Sequence, residues 1–356
     1  MSQPRVDFAI VGATPLARLL AGLLAGTHGR SVLLQGESHA GYRLPRHLDL
    51  SIGAITRPAT WALLGDIAPE VRRLVTRIGK RAAVARLDPL LVARSAAGQA
   101  ALGHVRHMAA AFGHAAEPFR GRGLPDGSSG VLLRDAILLQ LTAADAAVDE
   151  WLRRQGVERL SESEMLTVHA DGSGLARRGD QTIAIGQTIL ADDAALLAHL
   201  PQSQWPDLLV RQAASTVLTG AVPPLPARVL HDLDTGLWVH QQAGGIMVAC
   251  GPGSTGTTAR RLASLLGDTH RFEQAGQSGY TSLVTRDGAP AVGRSAGMGP
   301  DVLVGFGPIG GVLAPAIARW LCGAATPAES AWMGSHLVNR CNVEGAASVR
   351  DLGVVA

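Results

Sequence analysis

The alternation of hydrophobic and polar positions in the first forty residues predicts a strand, a tight turn, a helix and a second strand. An apolar run over residues 8–11 meets Gly12, and a helix-like segment follows over residues 15–27. A second apolar run covers residues 31–34. Strand, helix and strand in this order form the βαβ unit of a dinucleotide-binding fold.

Beyond this unit, the hydrophobic spacing predicts helices over residues 61–77 and 89–111. Residues 113–130 are rich in Gly and Pro and are expected to form a loop. Apolar residues spaced by three and four then predict one long amphipathic helix over residues 131–155.

The second half of the chain carries short apolar runs separated by turn residues, which is the pattern of an antiparallel sheet. The predicted strands cover residues 165–169, 182–185, 188–190, 213–218, 227–230, 236–240 and 245–250. The tail adds a strand at 302–304 and a helix from 312 to 321.

Composition narrows the class of protein. The chain has 356 residues, enough for about two domains, and its 47% hydrophobic and 17% charged residues indicate a globular protein. A net charge of +3 does not predict a nucleic-acid surface. The three cysteines form no CxxC pair, which suits a reducing compartment.

Targeting and metal motifs change this picture little. Asp7 interrupts the segment that would have to form the hydrophobic region of a secretory signal. The longest apolar stretches are shorter than the ~20 residues that a membrane span requires. We therefore expect a cytoplasmic protein without a membrane span. His104 and His107 are three residues apart with no third ligand nearby, so no metal site is predicted.

The turn after the first strand carries the first candidate chemistry. A glycine turn at the start of a helix lets backbone N–H groups approach a pyrophosphate. The turn reads Gly12-Ala13-Thr14-Pro15-Leu16-Ala17, with the first glycine present and Thr14 at the place of the second. Glu37, just after the second strand, is the candidate acid for a ribose. Taken alone, the turn is equally compatible with a nucleotide-binding site and with a βαβ unit that has only a packing role.

The tail adds a second glycine-rich segment. Asp287-Gly288 is followed by the predicted strand, by residues 305–311 with the sequence GFGPIGG, and by a helix from Val312. Together with the N-terminal turn, this segment resembles the flavin-binding sequences of the D-amino-acid oxidase-like superfamily, which includes glycine and sarcosine oxidases. Residues 191–193, Ala-Asp-Asp, depart from the Ala-x-Gly that is usual in that superfamily.

The resemblance implies an α/β fold in which a Rossmann-like FAD-binding domain is interleaved with a smaller antiparallel-sheet substrate domain. We expect the FAD-binding domain over residues 1–60, 125–200 and 285–345. The substrate domain is expected over residues 61–124 and 201–284, and residues 346–356 form a C-terminal tail.

The resemblance also implies the site residues. The FAD-binding residues expected from it are Gly12, Ala13, Thr14, Pro15, Leu16, Glu37, Arg43, Arg46, Ser51, Gly305, Gly307, Ile309, Gly310, Gly311 and Val312. The polar residues expected nearest the flavin ring, as candidate catalytic residues, are His47, His240 and Tyr280.

The resemblance constrains the substrate as well. Amino-acid oxidases of the superfamily bind the substrate carboxylate with an arginine, a bidentate contact that serine cannot copy. Ser282 stands at that place here, and Pro308 stands where glycine-oxidase-like relatives carry another arginine. An amine, an imine or a group on a larger molecule is therefore favoured over a simple amino acid.

Two classes of function remain open at this point. The first is an FAD-dependent oxidoreductase that transfers a hydride from a carbon next to nitrogen to flavin N5, or, within the same class, a monooxygenase or a maturation enzyme acting on a side chain of another protein. The second is a weakly catalytic subunit that docks in a multi-subunit dehydrogenase, which Thr14 and the missing arginine suggest. The expected partners are a small-molecule or side-chain amine and a possible partner subunit or second copy.

Overall fold

The computed structural model describes residues 4–36, 44–121, 123–161 and 163–340, with only the backbone described at 268, 269 and 296. The strands are β1 (Arg5–Val11), β2 (Val32–Gln35), β3 (Asp49–Leu50), β4 (Val84–Leu87), β5 (Leu90–Ala93), β6 (Ala116–Pro118), β7 (Ser129–Leu133), β8 (Ala136–Leu139), β9 (Glu158–Leu160), β10 (Met165–Val168), β11 (Gly174–Arg178), β12 (Gln181–Leu190), β13 (Leu209–Ala221), β14 (Val229–Asp232), β15 (Leu237–Gln241), β16 (Ile246–Pro252), β17 (Gln274–Thr285), β18 (Ala291–Arg294) and β19 (Asp301–Val304). The helices are α1 (Pro15–Gly26), α2 (Pro58–Gly79), α3 (Ala96–Ala111), α4 (Asp145–Arg154), α5 (Asp193–His199), α6 (Thr255–Leu266), α7 (Gly310–Leu321) and α8 (Pro327–Ser335).

The first sheet has the strand order β10-β11-β12-β1-β2-β9, and β19 and β18 continue it beyond β12. Strand β1 runs parallel to β2 and to β12, with Val11 opposite both Gln35 and Leu190. Strand β19 is also parallel to β12. The carboxyl ends of these four strands therefore meet at one edge, which is where parallel sheets bind their ligands.

Helices α1 and α7 pack against each other beside this sheet, because both are almost entirely apolar. Leu19 and Leu20 of α1 are fully buried, and each such side chain contributes about 1.5–3 kcal/mol. Arg18 is the buried exception: its guanidinium pairs with Asp145 and, at 2.6 Å, with Asp149. These ion pairs connect α4 to α1, which is the helix that follows the first turn.

The second sheet has the order β17-β13-β16-β15-β14-β5-β7-β6 and is antiparallel except for the β14–β5 pair. A small third sheet pairs β3 and β4 with β8. One sheet with a parallel centre beside a largely antiparallel one confirms the predicted α/β fold class. The predicted domain boundaries stay a prediction; strand β7 pairs within the second sheet although it lies beyond residue 124.

The predicted helices at 89–111 and 131–155 were partly wrong. The first begins with strand β5, and the helix starts only after Ser95, whose hydroxyl accepts the Gly98 N–H. In the second, β7 and β8 are joined through Asp135, which has a φ of 58°, and only residues 145–154 form an α-helix. Apolar residues four apart are compatible both with one long helix and with two short strands joined by a turn. Periodicity alone therefore could not distinguish the two structures.

Two smaller differences concern strands. The loop expected at 113–130 contains β6 and the start of β7. The two strands expected at 182–185 and 188–190 form one continuous strand, β12. Within the described ranges, every helix is too short or too polar to cross a bilayer.

Candidate active site

A cavity of about 280 Å³ lies where the carboxyl edge of the first sheet faces the second sheet. Thr14 and Leu16 of the N-terminal unit line it, together with residues 46–49 and with residues 303–308 before α7. Trp238, Tyr280 and residues 282–285 contribute from the second sheet. The two glycine-rich ends of the chain thus meet in one cavity.

The first turn is built for close approach of the backbone. Gly12 has a φ of 152°, and a Cβ on Gly36 would lie 2.1 Å from the Gly12 carbonyl oxygen. Thr14 is the N-cap of α1: its hydroxyl accepts the Ala17 N–H and donates to the Ala191 carbonyl, both at 3.3 Å. The Thr14 side chain is therefore used within the protein, as helix caps commonly are.

The carboxylate of Asp192 joins the starts of two helices. Its Oδ2 accepts the Ala13 N–H at 2.8 Å, and its Oδ1 accepts the Ala195 N–H at 2.8 Å as the N-cap of α5. An N–H at the start of a helix attracts anions, because the helix dipole adds to the hydrogen bond. Asp192 therefore supplies the negative charge at the turn after β1.

A second carboxylate stands at the start of α7. Asp49 Oδ1 accepts the Gly311 N–H at 3.0 Å, and a Cβ on Gly311 would lie 2.7 Å from that oxygen. Burial raises the pKa of Asp49, and the nearby His47, with its Nε2 3.5 Å from Asp49 Oδ2, lowers it in part. The N-terminal end of α7 is thus bound to a buried acid.

The second sheet contributes Tyr280, which pairs with Arg46, and Ser282, which contacts a third acid, Asp193 of α5. The Arg46 guanidinium lies 4.8 Å from the Tyr280 ring centre, and the Tyr280 hydroxyl donates to the Arg46 carbonyl at 3.0 Å. Burial raises the pKa of Tyr280, so its phenol is neutral at physiological pH. Asp193 Oδ2 accepts the Ser282 hydroxyl at 3.0 Å and the Leu283 N–H at 3.1 Å, and burial raises the pKa of this carboxyl.

Most residues that the sequence suggested lie in or beside this cavity. Those that line it are Thr14, Leu16, Arg46, His47, Tyr280, Gly305, Gly307 and Gly310. Those that belong to the same turn or helix start without lining it are Gly12, Ala13, Pro15, Ile309, Gly311 and Val312. Glu37 and Arg43 lie outside the described residues.

Two suggested residues lie elsewhere. The Ser51 hydroxyl accepts the Ile137 N–H at 2.9 Å, so it extends the pairing of β3 with β8 and does not line the cavity. His240 is buried in β15, two residues beyond Trp238, and does not line the cavity. Burial lowers the pKa of His240 to about 4.

Sequence reasoning missed the roles of the three carboxylates. Asp192 and Asp193 were recognised as a departure from the Ala-x-Gly pattern, but their contacts were not foreseen. A usable signal was present for Asp192, because an Asp between a strand and the helical segment 193–199 is a typical N-cap. Asp49 and Trp238 offered no comparable signal, since Asp49 is one of several polar residues in the irregular segment 41–53 and Trp238 lies in an apolar strand.

The residues can be tested against the FAD that the resemblance implies. The backbone fits: the first turn admits close approach at Gly12 and Gly36, and Gly305 and Gly307, both with positive φ, line the cavity before α7. Thr14 and Leu16, which follow Gly12, line the same cavity as Gly305 and Gly307. The backbone at both places is therefore compatible with a bound flavin, and a carboxylate of the chain lies at each helix start.

Comparisons with known proteins find relatives by structure only. No protein-family model matches the chain, and a search of curated proteins finds no match. NikD, an unusual amino acid oxidase essential for nikkomycin biosynthesis, superposes with a TM-score of 0.71 at 16% identity, covering 93% of this chain and 97% of NikD. Glycine oxidase from Geobacillus kaustophilus gives 0.66 at 17% identity, covering 96% of each chain.

A third solved structure, L-proline dehydrogenase from P. horikoshii, gives a TM-score of 0.71 at 12% identity and covers 95% of this chain and 98% of its own. The chain thus shares its fold with amino acid oxidases and dehydrogenases over nearly its whole length. This confirms the resemblance to the D-amino-acid oxidase-like superfamily at the level of the fold.

Proposed function

We propose that this chain is an FAD-dependent oxidoreductase that oxidises the C–N bond of an amine. The observation that carries the proposal is the cavity that joins the turn after β1 to the start of α7, in a fold shared with amino acid oxidases and dehydrogenases. When bound, FAD would supply the hydride-accepting chemistry. The turn at Gly12 and the glycines before α7 would hold it.

The side chains of the cavity favour an amine over an amino acid. Ser282 stands where the resemblance implies an arginine, and its hydroxyl is held by the buried Asp193. At Ser282 a substrate carboxylate would therefore meet the carboxyl of Asp193, which is unfavourable in a buried site. The Arg46 guanidinium also lines the cavity, but it lies on the Tyr280 ring. An ammonium group would be attracted to the carboxyl of Asp193.

His47 is the residue that we propose as the proton acceptor. An amine must lose its ammonium proton before a hydride can leave the adjacent carbon, and an imidazole is suited to take that proton. His47 lines the cavity and its Nε2 faces Asp49, which would stabilise the charged imidazolium. Tyr280 keeps its proton and positions Arg46 through its hydrogen bond to the backbone.

The test is anaerobic reduction of the flavin-loaded protein. With FAD in saturating excess, butylamine and 1,4-diaminobutane should bleach the flavin absorbance, whereas glycine and L-proline should not. Bleaching by the amino acids alone would contradict the assignment of the substrate class. If FAD is bound and nothing bleaches it, the proposed oxidoreductase activity is wrong.

A second candidate function is a weakly catalytic docking subunit of a multi-subunit dehydrogenase. The specific observation that favours it is the pair of carboxylates at the two helix starts, because neither is needed for flavin chemistry. A protein that binds no flavin at any FAD concentration, yet folds cooperatively, would favour this second candidate.

A further inference from the structure

The position of Asp192 raises a question about how the chain holds its cofactor. Asp192 follows the end of β12, and each of its two carboxylate oxygens accepts a backbone N–H at 2.8 Å, one from Ala13 and one from Ala195. A Cβ on Gly12 would lie 3.2 Å from Asp192 Oδ2, so the carboxylate is packed directly against the turn. The turn after β1 therefore already binds an anion, and this anion belongs to the protein.

A pyrophosphate bound at this turn would come close to the same charge. Hydrogen bonds from a backbone N–H to a carboxylate are charge-assisted, so breaking the hydrogen bond between Ala13 and Asp192 costs free energy. Two anions held near one helix start also repel each other. We propose that Asp192 competes with the pyrophosphate of FAD, so that this chain binds FAD weakly and exchanges it. The inference rests on the proposed flavoprotein function.

The other end of the cavity shows the same arrangement independently. The Gly311 N–H, at the start of α7, is bound by Asp49 at 3.0 Å. At each of the two helix starts, one backbone N–H is thus bound by a carboxylate of the chain itself. Only the first of these contacts lies in the turn expected to bind phosphate, and this difference makes the role of Asp192 testable.

The experiment compares FAD with riboflavin, which has the same ring and no phosphate. Dissociation constants are measured by fluorescence titration for the wild type and for Asp192→Asn. Asparagine has one acceptor oxygen, so it can keep the cap of α5 and must give up the Ala13 N–H. We expect FAD to bind at least tenfold more tightly to Asp192→Asn, with riboflavin affinity changed less than about twofold.

Two further proteins control for fold and for charge. Asp192→Ser keeps an N-cap side chain for α5 but removes the charge, so it should tighten FAD binding even if Asn disturbs the turn. Asp180→Asn makes the same change of charge in the exposed turn between β11 and β12 and should leave FAD affinity unchanged. Added salt should narrow the difference between wild type and Asp192→Asn, because it screens the repulsion.

The outcomes separate the inference from the proposed function. FAD affinity that is equal or weaker in both Asp192 variants, or a matching gain for riboflavin, would overturn the competition while leaving a flavoprotein. If neither the wild type nor any variant binds either flavin, the proposed function fails and the inference fails with it.

Discussion

The residue with the sharpest chemical prediction is His47. If it accepts the ammonium proton, His47→Gln should lower kcat with amines by ~10²–10⁴-fold, the usual contribution of a positioned base, while KM changes little. The exposed His169, hydrogen-bonded to Ser173, offers a matched control, and His169→Gln should keep full activity. Equal turnover in both variants would show that the proton leaves by another route.

Asp49 makes a prediction about stability and pH. Burial raises the pKa of this carboxyl in the folded protein, so the folded state binds its proton more tightly than the unfolded state does. The free energy of unfolding therefore falls as pH rises through the interval between the unfolded and folded pKa values. Asparagine at this position keeps an acceptor for the Gly311 N–H and removes the buried charge.

Asp49→Asn should accordingly raise the free energy of unfolding at pH 7 by on the order of 1 kcal/mol. The gain should shrink as pH falls through that interval and vanish below about 4, where the carboxyl is protonated in both states. Thermal melts of both proteins across this range measure the difference. A variant that is less stable at pH 7 would show that the pair with His47 outweighs the cost of burial.

At the scale of elements, the contact between α1 and α4 depends on one glycine. A Cβ on Gly22 would lie 2.1 Å from Trp151 Cη2, so the tryptophan ring lies directly on the helix backbone. Gly22→Ala should destabilise the protein by about 1–3 kcal/mol through overpacking. Gly103 of α3 has nothing within 4 Å of its Cβ position. Gly103→Ala should therefore stabilise by up to ~1 kcal/mol through helix propensity.

Urea unfolding of both variants checks this pair. The two substitutions add the same methyl group to a helix interior, so propensity alone predicts the same sign for both. Opposite signs are expected, because only Gly22 faces a side chain. Stabilisation by both would mean that Trp151 moves aside freely and does not fix α1.

The elements also show what the sequence could and could not predict. Helices α1, α2 and α7 have sustained spacings of three and four, and α1 and α2 also begin with a proline. The positions of all three were confirmed within a few residues. The segment 131–155 failed because its apolar spacing also suits β7, the turn at Asp135 and β8. Which of the two forms depends on strand partners such as β5, which lie elsewhere in the sequence.

At the scale of the whole molecule, the site depends on contacts between distant parts of the chain. Motifs at both ends predicted that the N-terminal turn and the α7 start converge on one cofactor, and the cavity joins them. The contacts of Asp192 with Ala13 and of Asp49 with Gly311 span 179 and 262 residues. No local pattern encodes such pairs, because the fold alone brings them together.

These long-range contacts lead to a prediction about the flavin-free protein. Asp192 and Asp49 each accept a backbone N–H at a helix start that would otherwise face FAD. The chain should therefore fold without the cofactor. Protein prepared without FAD should melt in one cooperative transition with native far-UV circular dichroism. FAD at 100 times its dissociation constant should then add about 2.7 kcal/mol to the free energy of unfolding, as mass action requires. A flavin-free protein that lacks a cooperative transition would show that Asp49 and Asp192 do not stand in for the cofactor.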